Sequence, residues 1–245
     1  MSIANRNASS TRLRPANPFA TRYVAPGKLA WINSETTIEQ LADRFQQLGG
    51  HCQIIGPHGS GKSTLLEHLV PRLGQVFYRE NACRDCPANP ITSSIFAGVP
   101  SFDSQAVCWF SLRRGQSVMN SLTRFLQTQS FCGILVVDGA EQLGWWQRKR
   151  LVRWSRRNNS KLLLTAHRNL GLPDLWQTSV SATLAQQVVQ QAYLNALGNP
   201  TVPDVIQETQ WSLLLRKHKG NLRECLMELY DLVETTHREA KEIGC

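Results

Sequence analysis

The sequence predicts an α/β fold: a parallel sheet sandwiched by helices, followed by a C-terminal helical lid. Three observations point there. Short apolar runs alternate with amphipathic stretches from His51 to Ser181, the pattern of parallel strands joined by crossover helices. The runs Gly133–Asp138 and Lys161–Ala166 are apolar almost throughout, as strands covered on both faces are. After Ser181 the strand pattern stops, and three helical stretches follow near 182–197, 203–218 and 221–238.

Residues 1–14 are polar and basic, with Arg6, Arg12 and Arg14 but no apolar core behind them, which reads as an arm and not as a secretory leader. Over 17–27, Pro18, Pro26 and Gly27 argue against a regular element, while Phe19 and Tyr23 suggest a segment packed onto the domain. Ile38, Leu41, Phe45 and Leu48 recur at helical spacing, and Gly49-Gly50 stops that helix. His51–Ile55 is the first strand. The next helix carries Leu65, Leu66 and Leu69 on one face and is predicted to stop at Pro71 and Gly74, with Gln75–Tyr78 as a second strand. Glu80–Gln105 holds Pro87, Pro90, Gly98 and Pro100 and reads as an inserted loop. Ala106–Leu112 follows as a strand, then a helix over Ser117–Gln129 with Val118, Leu122, Phe125 and Leu126 on one face. After the Gly133–Asp138 strand, Glu141–Arg157 reads as one helix, with Leu143, Trp146, Leu151 and Trp154 turned to the sheet. The strand Lys161–Ala166 follows, and Thr178–Val180 is a short last strand. The expected organisation is an arm and packing segment over 1–35, an α/β domain over 36–181 and a lid over 182–245.

The stretch Gly56-Pro57-His58-Gly59-Ser60-Gly61-Lys62-Ser63-Thr64 fits G-x-x-x-x-G-K-[ST] between a strand and a helix, the setting that makes this motif specific. Glycines let backbone amides approach a phosphate closely, and the helix N-terminus adds positive potential. Lys62 suits the β- and γ-phosphates, and the Ser63 hydroxyl suits Mg²⁺. ATP with Mg²⁺ is the expected ligand pair. Asp138 ends a buried strand and is placed to hold Mg²⁺ opposite Ser63. Gly139 occupies the slot where many such ATPases carry a glutamate. Glu141 stands nearest, either as base or as an acidic residue favoured by a helix start. Thr165 and His167 end the next strand beside the expected γ-phosphate, either to contact it or its attacking water, or simply to cap the strand.

The net charge of +9 suits a polyanion such as nucleic acid, and equally a basic surface with no partner. Arg148, Lys149, Arg150, Arg153, Arg156 and Arg157 form a stripe among Trp145, Trp146 and Trp154, which suits a phosphate backbone or a solvated face. No apolar run reaches a membrane span, and seven scattered cysteines with no leader fit a cytoplasmic chain of reduced thiols. Cys83-Arg84-Asp85-Cys86 is half of a zinc site with no second pair at suitable spacing.

In order, GPHGSGKST, ILVVDGAEQL, KLLLTAHR and Gly220-Asn221-Leu222-Arg223-Glu224 resemble the AAA+ ATPases over roughly 36–238, most of all the small bacterial transposition regulators and initiator types. That resemblance implies a P-loop NTPase sheet with a lid, ATP hydrolysis, assembly into homo-oligomers, and a γ-phosphate contact from Arg223. It makes Arg168 a candidate trans-acting finger and puts Asn17-Pro18-Phe19 near the adenine. Gly139 departs from the pattern and leaves a nucleotide-dependent switch with little hydrolysis as an alternative. An ABC-type ATPase is the rival family, on the faint likeness of Leu112-Arg113-Arg114-Gly115-Gln116 to its signature loop and of His167 to its switch histidine; the serine-glycine core of that loop is missing. A nucleotide or small-molecule kinase has no separate substrate motif here.

Overall fold

The structure, a computed structural model, describes residues 16–81, 107–112, 118–128, 131, 133–198 and 208–243. The strands are β1 (His51–Ile55), β2 (Val107–Ser111), β3 (Ile134–Asp138), β4 (Lys161–Ala166) and β5 (Asp174–Gln177). They form one five-stranded sheet in the order β2-β3-β4-β1-β5, with every pairing parallel. The helices are α1 (Thr21–Val24), α2 (Ile38–Gln47), α3 (Lys62–Asn81), α4 (Val118–Thr128), α5 (Trp145–Arg157), α6 (Ala182–Leu197), α7 (Glu208–Lys217) and α8 (Leu222–Ile243).

The pleat sorts the apolar runs onto two faces. Val136 and Leu163 meet Leu41, Phe45, Leu65, Leu69 and Leu73 of α2 and α3. Leu135, Val137, Leu162 and Leu164 point the other way, onto Leu122 of α4 and Leu151 of α5. β3 and β4 are therefore apolar on both sides, which is why they read as continuous apolar runs. α2 starts with a reciprocal cap: the Gln40 amide donates to Thr37 Oγ1 at 3.2 Å, and the Thr37 amide to Gln40 Oε1 at 3.0 Å.

Several elements differ from the sequence reading. α3 does not stop at Pro71 or Gly74 and takes in Gln75–Tyr78, so no strand forms there. An interior proline costs roughly 3 kcal/mol. Continuing past it buries Leu73 and part of Phe77, at about 1.5–3 kcal/mol for a fully buried side chain, which offsets that cost. The spacing Leu65, Leu69, Leu73, Phe77 carries the apolar stripe straight past the proline. α1 forms one helical turn where prolines argued against any element. The helix expected from Glu141 is broken: Ala140–Gln142 is a 3-10 turn, Leu143 is extended, and α5 begins only after Gly144. Trp146 does not face the sheet; it is 73% exposed, while Leu143 and Leu151 are buried. The last strand is β5, not Thr178–Val180. α3 also takes in Glu80 and Asn81, the first two residues expected in the inserted loop; the rest of that loop, the Cys83/Cys86 pair and Arg113–Gln116 lie outside the described residues.

β5 is held by a buried amide. Gln53 of β1 is fully buried, and its Nε2 lies 2.9 Å from Asn169 Oδ1, 2.8 Å from the Leu172 carbonyl and 2.6 Å from Asp174 Oδ1. Its Oε1 accepts from the Leu170 amide at 2.9 Å. Gln53→Leu keeps the volume and strands these partners. It is expected to lower unfolding stability by about 2–3 kcal/mol, read as a shifted urea midpoint at unchanged slope; an unmoved midpoint would mean that the network adds nothing.

After β5 the chain builds a second core around Trp211, with Val189 and Ala192 of α6 and Cys225 of α8, all fully buried. Ser181 caps α6 by accepting from the Leu184 amide at 3.1 Å. The segment before α2 joins this core. Phe19 meets Tyr193 edge-on at 5.8 Å, and Asn17 Nδ2 donates to the Tyr230 carbonyl and to Glu234 Oε1, both at 3.0 Å.

Candidate functional site

The strand order sets β4 between β3 and β1, so the carboxyl ends of all three open side by side, where ligands sit in open parallel sheets. The Gly56–Thr64 loop leaves β1 there and enters α3. A cleft of about 1800 Å³ lies over these strand ends and is walled by the loop, Asp138, Glu141, the 19–35 segment and the start of α8.

Lys62 is 8% exposed. Its Nζ donates to the carbonyls of Gly56 at 2.8 Å and Pro57 at 2.7 Å, and lies 3.2 Å from His167 Nδ1. Burial lowers its pKa, and the charges of Glu141 and Asp138 oppose that shift. Ser63 Oγ donates to Asp138 Oδ2 at 3.0 Å. The Thr165 hydroxyl donates to Asp138 Oδ1 and accepts from the Gly139 amide at 2.9 Å. Both carboxylate oxygens of Asp138 are thereby aimed, one by the loop and one by β4.

Gly139 is not a free slot. Its φ is +83°, and a Cβ built there would stand 2.5 Å from the Leu112 carbonyl oxygen. That carbonyl belongs to the residue whose amide donates to Asp138 O at 2.7 Å. A glutamate in this position would meet backbone and force it to shift. The turn places Glu141 instead, with Oε1 3.0 Å from His167 Nε2. Glu141 Oε2 is buried and has no hydrogen-bond partner among the described residues. His167 also lies under His58 of the loop, ring centres 3.4 Å apart.

The turn before α8 reaches the loop at Gly59, whose φ is +67°: a Cβ there would overlap Asn221 Oδ1 and stand 3.1 Å from the Arg223 amide nitrogen. Arg223 is exposed at the cleft wall, on the first turn of α8. Arg168 is exposed beyond β4. Pro57 and His58 are exposed on the loop, Ser60 is buried beneath it, and Ser63 and Thr64 start α3 along the cleft. Sequence reasoning does not find Thr178: its Oγ1 lies 2.6 Å from Ser60 Oγ and ties the loop to the residue after β5. Asn221 stands out in the sequence only as part of a lid motif, and its contact with Gly59 has no local signal.

The residues fit a nucleotide. Gly61, with φ +87°, has nothing within 4 Å of a Cβ built on it, so space stands over the loop in front of α3. Ser63 and Asp138 offer hard oxygen donors, the kind Mg²⁺ takes. Among the described residues no group of three or more His, Cys, Asp and Glu forms a metal site of its own.

No family model matches the chain, and no curated protein matches it in sequence. In structure it is similar to the Orc1 protein of Aeropyrum pernix, solved in complex with DNA. The TM-score is 0.56 at 16% identity, over 89% of this chain and 64% of that one. The likeness bears out the α/β fold, a parallel sheet with flanking helices. This chain spans under two thirds of the Orc1 chain. Among the described residues no helix is long and apolar enough to cross a membrane.

Proposed function

We propose that this chain binds ATP with Mg²⁺ and hydrolyses it, as an AAA+-like protein acting in the cytoplasm on DNA or on a DNA-bound complex. The observation that carries this is the contact of Ser63 with Asp138, 3.0 Å apart, beside Lys62 at the mouth of a Gly-rich loop. Lys62 and the loop amides hold the phosphates. Ser63 and Asp138 hold Mg²⁺, which neutralises phosphate charge. Thr165 aims Asp138. Glu141 accepts the proton of the attacking water, and His167, 3.0 Å from Oε1, fixes the carboxylate's orientation. Arg223 in the lid contacts the γ-phosphate. Assembled copies would let Arg168 reach a neighbour's nucleotide. Nucleic acid as partner rests on the net charge of +9 and on the likeness to an Orc1 protein that was solved with DNA. The same likeness favours this reading over an ABC-type subunit.

Steady-state turnover with and without double-stranded DNA tests the reading. DNA-stimulated hydrolysis is expected. Glu141→Gln is expected to cut kcat by about 100-fold while ATP affinity stays within about threefold; unchanged turnover would remove Glu141 as the base. Gly139 favours one second reading, a nucleotide-dependent switch. Tight ATP binding with negligible turnover, with and without DNA, would select it.

A further inference from the structure

We propose that the outward face of α5 is a docking surface for nucleic acid, with backbone phosphates on its cations and Trp146 set against a base. The proposal rests on the nucleic-acid reading above and assigns that reading a place. In 13 residues α5 carries six cations and no acidic residue. Lys149, Arg150, Arg153, Arg156 and Arg157 are exposed, while Leu151 and Ser155 on the opposite side are buried. At 3.6 residues per turn and 1.5 Å per residue, the five exposed cations occupy roughly 120° of the helix surface, along about 12 Å of its length. Among the described residues no carboxylate forms an ion pair with any of them. Five neighbouring like charges within about one Debye length repel one another, and a polyanion offsets that repulsion.

The first turn adds an aromatic element. Trp145 is 50% and Trp146 is 73% exposed. Their rings meet edge-on, 4.4 Å apart, and Lys149 Nζ stands 3.8 Å over the Trp145 ring. That contact holds Trp145, and Trp145 buttresses Trp146 while leaving most of its ring open, an arrangement suited to stacking. A membrane-surface helix would show an apolar stripe along its whole length. Here the exposed apolar area is confined to the first turn, and the rest of the face is charged. The segment Gly139–Gly144, which carries Glu141, leads directly into Trp145, so the nucleotide cleft and this face share one stretch of backbone.

The experiment uses the whole chain with a fluorescein-labelled oligonucleotide of about 30 bases, single-stranded and as a duplex, alongside vesicles rich in phosphatidylserine. The comparison is between the unaltered chain, Arg153→Ala/Arg157→Ala and Trp146→Ala. The double variant is expected to weaken oligonucleotide binding at least about tenfold. Removing one phosphate-binding cation lowers the slope of log affinity against log salt by about 0.9 on duplex and 0.7 on single strand. The double variant is therefore expected to lower it by roughly 1.8 or 1.4. ATP binding should not change. Trp146→Ala is expected to lose several-fold on single strand, together with most of the quenching of tryptophan emission. Affinity and slope that do not move in the double variant overturn the proposal and leave the nucleic-acid reading standing. Vesicle binding that falls while oligonucleotide binding holds assigns the face to a membrane and overturns it as well. No oligonucleotide binding by the unaltered chain sinks both readings.

Discussion

Lys62→Ala is expected to raise the dissociation constant for ATP by about 100-fold or more, roughly 2.7 kcal/mol, with little loss of fold stability. The asymmetry follows from the surroundings of the ammonium. Lys62 is buried beneath the loop, and burial already lowers its pKa, so its charged form is held at a desolvation cost. Its hydrogen bonds go to two loop carbonyls, Gly56 and Pro57. It also stands at the N-terminus of α3, where a cation is disfavoured by the helix dipole. Removing it relieves two unfavourable terms while giving up these hydrogen bonds, the contact with His167 Nδ1 and the attraction of Glu141 and Asp138, and the melting temperature should move by only a few degrees. Isothermal titration with ATP and a thermal melt on the same sample separate the two effects. Near-unaltered ATP affinity would overturn the assignment of the loop as the phosphate site. A collapse in melting temperature would show the lysine to be a structural strut.

Gly139→Glu is the second large effect, and its sign is opposite to what motif matching suggests. Placing a glutamate after the strand aspartate looks like a repair of a missing catalytic residue. The backbone at Gly139 is left-handed, and a Cβ would stand 2.5 Å from a backbone oxygen, the Leu112 carbonyl. Left-handed strain costs about 1–3 kcal/mol by itself. Displacing Leu112 also disturbs the amide bond it makes to Asp138 O. A destabilisation of about 3 kcal/mol or more is expected in urea unfolding, with turnover reduced because Asp138 shifts against Ser63. A variant that stays fully stable and hydrolyses ATP faster would show that the turn can open and that Glu141 is not the native base.

What the chain reveals in advance is what lies close together along it. The loop is nine contiguous residues whose glycines and lysine sit at set offsets, and β3 and β4 are apolar runs because both their faces are covered. The end of α3 escapes sequence reading because a local rule, that proline stops a helix, loses to burial on a sheet the rule cannot see. β5 escapes it because Asp174-Leu175-Trp176-Gln177 looks polar; only Leu175 is fully buried, Trp176 leans edge-on against Trp31 at 6.5 Å, and Gln53 anchors the rest. Trp146 reads as inward only when Leu143 is counted on the same helix; Leu143 lies in the extended stretch before α5, and within α5 Trp146 stands about 140° from the buried Leu151. At the site, Asp138 and Lys62 are legible from their own neighbourhoods. The Thr178–Ser60 contact joins residues 118 positions apart, and the tilted ring contact of His58 with His167 joins the loop to the residue after β4; neither leaves a local trace.

The close fit of Gly59 against Asn221 has a thermodynamic consequence. The loop and the first residue before α8 touch with no side chain of Gly59 between them, so a shift in one displaces the other. On the nucleotide-binding role proposed for the loop, its occupancy and the seating of α8 would be two coordinates of one equilibrium, and such coupling is reciprocal. A ligand that favours one seating of α8 must itself be bound tighter, by the same factor, when something else enforces that seating. A protein or nucleic acid that presses that helix home would thus tune nucleotide affinity without touching the nucleotide.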